Sequence, residues 1–201
     1  MSEHPPLTGR EPPVDEWVLR YDRFDPPSER QRESLCTLGN GYFATRGAAP
    51  EATADDIHYP GTYAAGVFNR RSTAIAGRVV ENESIVNLPN WLPLTFRIDD
   101  GAWFALGHVE LLEFEQCLDL RRAVLTRRMR IRDADGRTTA VHHRRFVSMA
   151  DPHVAGIEMV VTAEDWTGDL TFRSGLDGGV LNAGVDRYRD CLLYTSDAAD
   201  E

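Results

Sequence analysis

Residues 124–149 read VLTRRMRIR, then DADG, then RTTAVHHRRFVSM, and the way these three pieces fit together decides the fold. Asp133-Ala134-Asp135-Gly136 is turn chemistry, because short Asp side chains bond their own backbone and glycine accepts positive φ. Before it, Leu125, Met129 and Ile131 fall on one face while Thr126, Arg128, Arg130 and Arg132 fall on the other. That period of two is a strand with one face in a core and one in water, so the stretch reads as an antiparallel hairpin.

The same pattern extends in both directions. Residues 92–98 and 102–106 flank Asp99-Asp100-Gly101 and predict a second hairpin. Ile157, Met159 and Val161 alternate with polar neighbours, as do Leu170 and Phe172 against Thr171 and Arg173. Trp17 to Tyr21 has strand composition, and Asp25-Pro26-Pro27 stops it. No long amphipathic helix, fixed-period repeat or low-complexity stretch interrupts this. Short strands with one wet face predict an all-β chain folded as an antiparallel β-sandwich.

The 201 residues carry 32 acidic and 22 basic side chains, a net charge of −10 at pH 7, and 42% are hydrophobic. These values fit a soluble globular domain and argue against a primary role on nucleic acid, whose phosphates need a basic face. No run approaches the ~20 apolar residues of a membrane span, and the amino terminus lacks the basic flank and apolar centre of an export signal. The expected setting is cytoplasmic, with no nucleic-acid and no membrane partner. Cys36, Cys117 and Cys191 are an odd, widely spaced set, which suits idle thiols in a reducing compartment.

Three segments follow from composition. Pro5, Pro6, Pro12 and Pro13 make residues 1–16 an irregular arm, and residues 17–190 form the sandwich domain. Residues 191–201, CLLYTSDAADE, break from the text before them and read as the translation of a sequencing adapter, so they are set aside from fold reasoning.

Local motifs are sparse. Gly39-Asn40-Gly41-Tyr42-Phe43-Ala44 formally matches a dinucleotide loop, but no helix follows, and its glycines read as turn residues. The histidines lack ligand spacing, so no metal is expected. Arg121, Arg122, Arg127, Arg128, Arg130, Arg132, Arg144 and Arg145 read as a solvated sheet face paired to acids. Asp55-Asp56 sits in a loop and Glu81 and Glu83 share a strand face, but no spacing fixes a catalytic pair. No serine nucleophile elbow is present. Three loop segments combine aromatic, amide and turn residues: His58-Tyr59-Pro60-Gly61-Thr62-Tyr63, Asn69-Arg70-Arg71 and Asn87-Leu88-Pro89-Asn90-Trp91. On composition they read first as turns and packing. The alternative is a sugar surface, where rings stack on C–H faces and amides pair with hydroxyls.

In order, Glu33-Ser34-Leu35, Leu38-Gly39-Asn40-Gly41-Tyr42, Arg46-Gly47, Tyr59-Pro60-Gly61-Thr62-Tyr63, Val86-Asn87-Leu88-Pro89-Asn90-Trp91, Leu118-Asp119-Leu120-Arg121, Leu125-Thr126-Arg127 and Arg145-Phe146-Val147-Ser148 resemble the amino-terminal domain of glycoside hydrolase family 65. These are the maltose, trehalose and kojibiose phosphorylases and their hydrolytic relatives. The resemblance covers about residues 17–190. It implies a β-super-sandwich, here incomplete, leading to an α/α barrel that this chain lacks.

It further implies an inverting parent enzyme that moves glucose from an α-glucoside to inorganic phosphate, giving β-glucose 1-phosphate. Phosphate is a co-substrate, and no cofactor or metal is implied. One glutamic acid protonates the leaving oxygen; it belongs to the barrel, so no residue here is expected to be catalytic and the fragment alone is expected to be inactive. Expected partners are the disaccharide and phosphate, the chain's own barrel, and a second copy in a homodimer. Tyr59, Tyr63, Asn87, Asn90 and Trp91 are the residues expected to face the substrate. A glucosidase parent and a freestanding carbohydrate-binding module stay open as alternatives.

Overall fold

The computed structural model describes residues 16–75 and 77–182. Most of the amino-terminal arm and the whole 191–201 segment lie outside those residues. In chain order the described strands are β1 (Val18–Tyr21), β2 (Leu38–Gly39), β3 (Phe43–Thr45), β4 (Thr62–Ala64), β5 (Phe68–Ile75), β6 (Arg78–Ile85), β7 (Leu94–Ile98), β8 (Glu110–Asp119), β9 (Val124–Arg132), β10 (Thr138–Val147), β11 (Ala155–Ala163) and β12 (Leu170–Ser174). One short helix, α1 (Glu29–Leu35), follows a 3-10 turn at Pro26–Ser28, where the proline pair ends β1's run.

The β9–β10 hairpin forms as the sequence predicts. Gly136 sits at φ 82°, and Asp133 Oδ1 accepts bonds from the amides of Asp135 (3.0 Å) and Arg137 (2.9 Å). Register runs from Arg132↔Thr138 to Val124↔Phe146. This hairpin is the centre of a five-stranded antiparallel sheet ordered β1-β8-β9-β10-β11.

Two smaller units cover the inner face of that sheet. At one end β7 and β12 bring Phe96 and Ile98, with Phe104, against Phe114, Met129, Ile131 and Val141. At the other, the end of α1 and the β2-β3-β4 sheet bring Cys36 and Leu38 against Leu118, Leu125 and Val147. The fold is therefore all-β, in opposed antiparallel layers. Each fully buried side chain of this kind contributes about 1.5–3 kcal/mol relative to exposure. The β5–β6 hairpin pairs with itself, from Phe68↔Ile85 to Ile75↔Arg78. No helix among the described residues is long and apolar enough to cross a membrane.

Three expectations need correction. Asn69-Arg70-Arg71, read as a loop segment, lies on strand β5 in register with β6. The turn at Asp99-Asp100-Gly101 forms, with Gly101 N bonded to Ile98 O at 3.0 Å, but residues 102–106 do not return as a strand. Phe104 N reaches Phe96 O at 2.8 Å, while the Phe104 carbonyl accepts from the Thr95 hydroxyl at 2.8 Å. The chain then enters a 3-10 turn, and β12 becomes the ladder partner of β7. The arginine cluster also divides. Arg130, Arg132 and Arg144 are exposed and paired to acids as expected, at 2.8 Å (Glu164), 3.2 Å (Glu110) and 2.6 Å (Glu158). Arg127 and Arg145, each 1% exposed, lie on the buried face instead. Parity is the reason: Arg127 stands two residues from both Leu125 and Met129, and Arg145 two from Val147.

Candidate functional site

Between the two apolar ends of the interior, the inner sheet face carries a polar band. Gln116, Arg127 and His143 stand side by side across β8, β9 and β10, with Arg145 one step along. An irregular loop, residues 46–61, lies over this band. Arg145 donates to the carbonyls of Ala48 (2.7 Å) and Arg46 (3.3 Å), and Arg127 pairs with buried Glu51 at 2.6 Å. Loop carbonyls that find no strand partner are thus satisfied by guanidinium forks from below. His143 is 2% exposed. Burial, reinforced by the charges of Arg127, Arg145 and His142, holds its pKa well below the ordinary value, so it is neutral.

Helix α1 closes the loop from the other side. Glu33, 1% exposed, accepts from Tyr59 N at 2.8 Å and bonds His58 Nδ1 at 2.9 Å, with Arg46 3.8 Å away. Arg46 itself donates to Tyr59 O (2.8 Å) and Arg30 O (2.7 Å). Burial lowers the His58 pKa, but the Glu33 hydrogen bond and the charges of Glu33 and Asp55 together outweigh it and leave the pKa raised. Gly47 donates its amide to Glu33 O at 2.7 Å. A Cβ there would lie 2.5 Å from Cys36 Cβ, so only glycine permits this approach of loop to helix.

The loop's far end forms one wall of a cleft of about 160 Å³; Arg30 of α1, residues 177–181 and the 87–90 segment supply the rest. Three of the five predicted substrate-facing residues, Tyr59, Asn87 and Asn90, line it. The amide of Asn87 is fully engaged: Oδ1 accepts from Thr62 N (2.8 Å), and Nδ2 donates to Pro60 O (3.1 Å) and Leu181 O (3.3 Å). Asn90 pairs its backbone with Asp177 in both directions (2.8 and 2.9 Å) and accepts from Leu92 N at 3.1 Å. The Tyr59 hydroxyl donates to Leu181 O at 3.1 Å.

Tyr63 and Trp91 lie outside that lining. Burial, with the Tyr59 hydroxyl acting in the same direction, pushes the Tyr63 phenol up to about 12. Trp91 Nε1 is buried and finds no hydrogen-bond partner among the described residues.

Glu33 and His58 were not expected at the site. They are 25 residues apart, so no local spacing joins them; the available hint was that both fall within or beside the motif segments. The other candidate motifs resolve into structure. Gly39 to Phe43 is the β2–β3 turn, with Gly41 at φ 85° and Asn40 Oδ1 accepting from Tyr42 N and Phe43 N, each at 3.0 Å. Glu81 and Glu83 share a face of β6 and both pair with Arg70. Asp55 Oδ1 caps its own turn, accepting from Ile57 N (2.7 Å) and His58 N (2.6 Å). Among the described residues no three His, Cys, Asp or Glu side chains gather in a metal-holding group.

Comparison with known proteins adds to this picture. Residues 19–197 match the glycosyl hydrolase family 65, N-terminal domain. An uncharacterized glycosyl hydrolase of Mycobacterium tuberculosis is 54% identical over 175 residues, 87% of this chain and 13% of that protein. The trehalose 6-phosphate phosphorylase of Lactococcus lactis is 37% identical over 87% of this chain and 22% of its own length. The kojibiose phosphorylase of Caldanaerobacter subterraneus is 31% identical over 86% and 21%. The chain thus spans less than a quarter of the length of each of these relatives. Among solved structures, a human-microbiome protein assigned to the kojibiose phosphorylases shares the fold, with a TM-score of 0.76 at 23% identity over 86% of this chain and 23% of that one.

Proposed function

The chain belongs to the glycosyl hydrolase family 65 amino-terminal domain family, and from that premise we propose that it is the noncatalytic front domain of an inverting disaccharide phosphorylase. The parent would convert an α-glucoside (trehalose, kojibiose or maltose) and inorganic phosphate to β-glucose 1-phosphate and a sugar. The observation that carries this reading is the family match across residues 19–197. Relatives named as trehalose 6-phosphate, kojibiose and maltose phosphorylases support it.

In such a reaction one acid protonates the leaving oxygen while phosphate attacks the opposite face of the sugar, so no second carboxylate base is needed. We place that acid outside this chain. Glu33 is buried and bonded to His58 and Tyr59 N, and Asp55 Oδ1 is occupied by its own turn. Neither is arranged as a general acid. The domain's part is to hold the 46–61 loop and the cleft beside it in a fixed position.

A hydrolytic parent is the second reading, favoured by the name of the mycobacterial relative, an uncharacterized glycosyl hydrolase. Assaying the full-length parent on trehalose, kojibiose and maltose decides between them. Formation of β-glucose 1-phosphate that depends on added phosphate is the expected result; glucose release at the same rate without phosphate would establish the second reading. The 201-residue chain by itself is expected to turn over none of the three sugars.

A further inference from the structure

We propose that the cleft beside His58 is a binding subsite for a single neutral pyranose ring, hydrogen-bonded by His58, Asn90 and Asp177, with Glu33 as the positioning residue for His58. The choice of a sugar rests on the proposed function; the rest follows from what the cleft offers once internal bonds are deducted.

His58 lines the cleft with Nδ1 held on Glu33 at 2.9 Å. Its remaining hydrogen-bonding nitrogen is Nε2, which donates or accepts according to protonation. Asn90 gives Oδ1 to Leu92 N, leaving its Nδ2 group as a donor. Asp177 gives Oδ1 to Gly179 N at 2.9 Å, leaving Oδ2 as an acceptor. The cleft thus offers a donor from Asn90, an acceptor from Asp177 and at His58 a group that can be either, the mixture that hydroxyls require, since each hydroxyl donates once and accepts twice. Pro60, Val180 and Leu181 supply an apolar wall for the C–H face of a ring.

Charge and size exclude the nearest competitors. Arg30 shares the lining with two carboxylates, Asp55 and Asp177, so a phosphate dianion would meet repulsion as well as attraction. A volume of about 160 Å³ is well below the ~300–1,000 Å³ of drug-sized pockets, which suits a single ring. The walls are also preorganised: Arg46 ties the loop to Tyr59 O and Arg30 O, and Arg145 ties it to the sheet. Little ordering cost is left for the ligand.

The test is an NMR titration of the full 201-residue chain, following the His58 imidazole C–H resonances, with methyl α-D-glucoside and, separately, inorganic phosphate. The expected result is a saturable His58 shift with the glucoside, with an affinity in the millimolar range or tighter, and none with phosphate. In Glu33→Gln the His58 titration midpoint should fall, and glucoside affinity should drop about tenfold, the order expected for a lost charge-assisted bond. Exposed Asp177→Asn keeps the backbone bridge to Asn90 and removes the charged acceptor; it should weaken glucoside binding several-fold and tests the inference even where Glu33→Gln fails to fold.

Absence of a saturable shift at sugar concentrations of about 0.1 M, a shift with phosphate alone, or wild-type affinity in Asp177→Asn would each overturn it. Glucoside binding by this chain together with a hydrolytic parent leaves the inference standing and defeats the phosphorylase reading. A phosphorolytic parent whose front domain ignores the glucoside does the reverse.

Discussion

Two regions of the sandwich interior, one apolar end and the polar band between the ends, solve the same problem differently. Around Phe96, Phe104, Met129 and Val141 the layers meet mainly through apolar side chains. A few residues along the same sheet, the layers meet through Arg127, Arg145, His143, Glu51 and Glu33. The first arrangement is the efficient way to gain stability. The second is costly, because charges are desolvated for a return that roughly breaks even. What the polar band gains is position: guanidinium and carboxylate groups can hold carbonyls and amides of an irregular loop at fixed points, which methyl groups cannot. The contrast teaches that the apolar clusters set the fold while the polar band sets where residues 46–61, and so Tyr59 and His58, are placed.

The sharpest attack on that contrast is Arg127→Met. It leaves the Glu51 carboxylate buried without its ion-pair partner, and a loss of about 3–5 kcal/mol of unfolding free energy in urea is expected. Adding Glu51→Leu should recover most of it, because an apolar pair of similar volume is often neutral or better. A double variant still as unstable as the single would mean the ion pair stabilises the fold in its own right, and the division of labour would fail.

Met129→Ala probes the other end. Truncating this buried side chain should cost about 2–5 kcal/mol in transfer and cavity terms, while the His58 resonances stay where they are in wild type. A Met129→Ala protein whose His58 environment changes would show that the apolar end and the polar band do not act separately.

Acid addresses the polar band without mutation in the apolar clusters. His143 has a depressed pKa in the folded chain, so below its ordinary value of about 6.5 the unfolded state binds the proton more readily. Its stabilising effect is present above that pH and fades as pH falls. His58 has the opposite sign: its folded pKa is raised, so its contribution is complete below the ordinary value and is lost as pH rises through the folded one. His143→Leu should flatten the fall of stability below about pH 6.5, and His58→Gln the decline above it, both read as urea midpoints across pH. Identical pH profiles for wild type and His143→Leu would contradict a neutral buried imidazole.

These same residues show how far the sequence could be read. The β9–β10 hairpin was legible because turn residues and a period of two agreed over both arms. The position of Arg127 was legible too, since parity placed it with Leu125 and Met129. The general rule that arginine prefers water outweighed that signal, and the rule is weak wherever a loop offers carbonyls and a carboxylate to a buried fork. Residues 102–106 misled because strand composition does not reveal that the Thr95 hydroxyl takes the Phe104 carbonyl. Three of the five expected substrate-facing residues come together at one cleft. The Glu33–His58 pair does not show in any window, because it is made by packing a helix against a loop without periodicity.

The smallest effect belongs to the arginine next to a buried one. Arg144 and Arg145 are neighbours on β10, so the pleat sends them to opposite faces. Arg144 pairs with Glu158 across the strand at 2.6 Å, but both side chains are half exposed, at 58% and 50%. Water screens such a pair and two flexible chains must be ordered to make it, so Arg144→Ala should change stability by no more than about 1 kcal/mol. Arg145 meets no water; its guanidinium bonds two loop carbonyls, and burial lowers its pKa to about 10. Arg145→Ala leaves those carbonyls buried without donors, and it should both destabilise the chain far more and displace His58. Equal losses from the two substitutions would mean that burial and parity do not decide what an arginine contributes here, and the distinction between the wet and the inner face of this sheet would lose its energetic content.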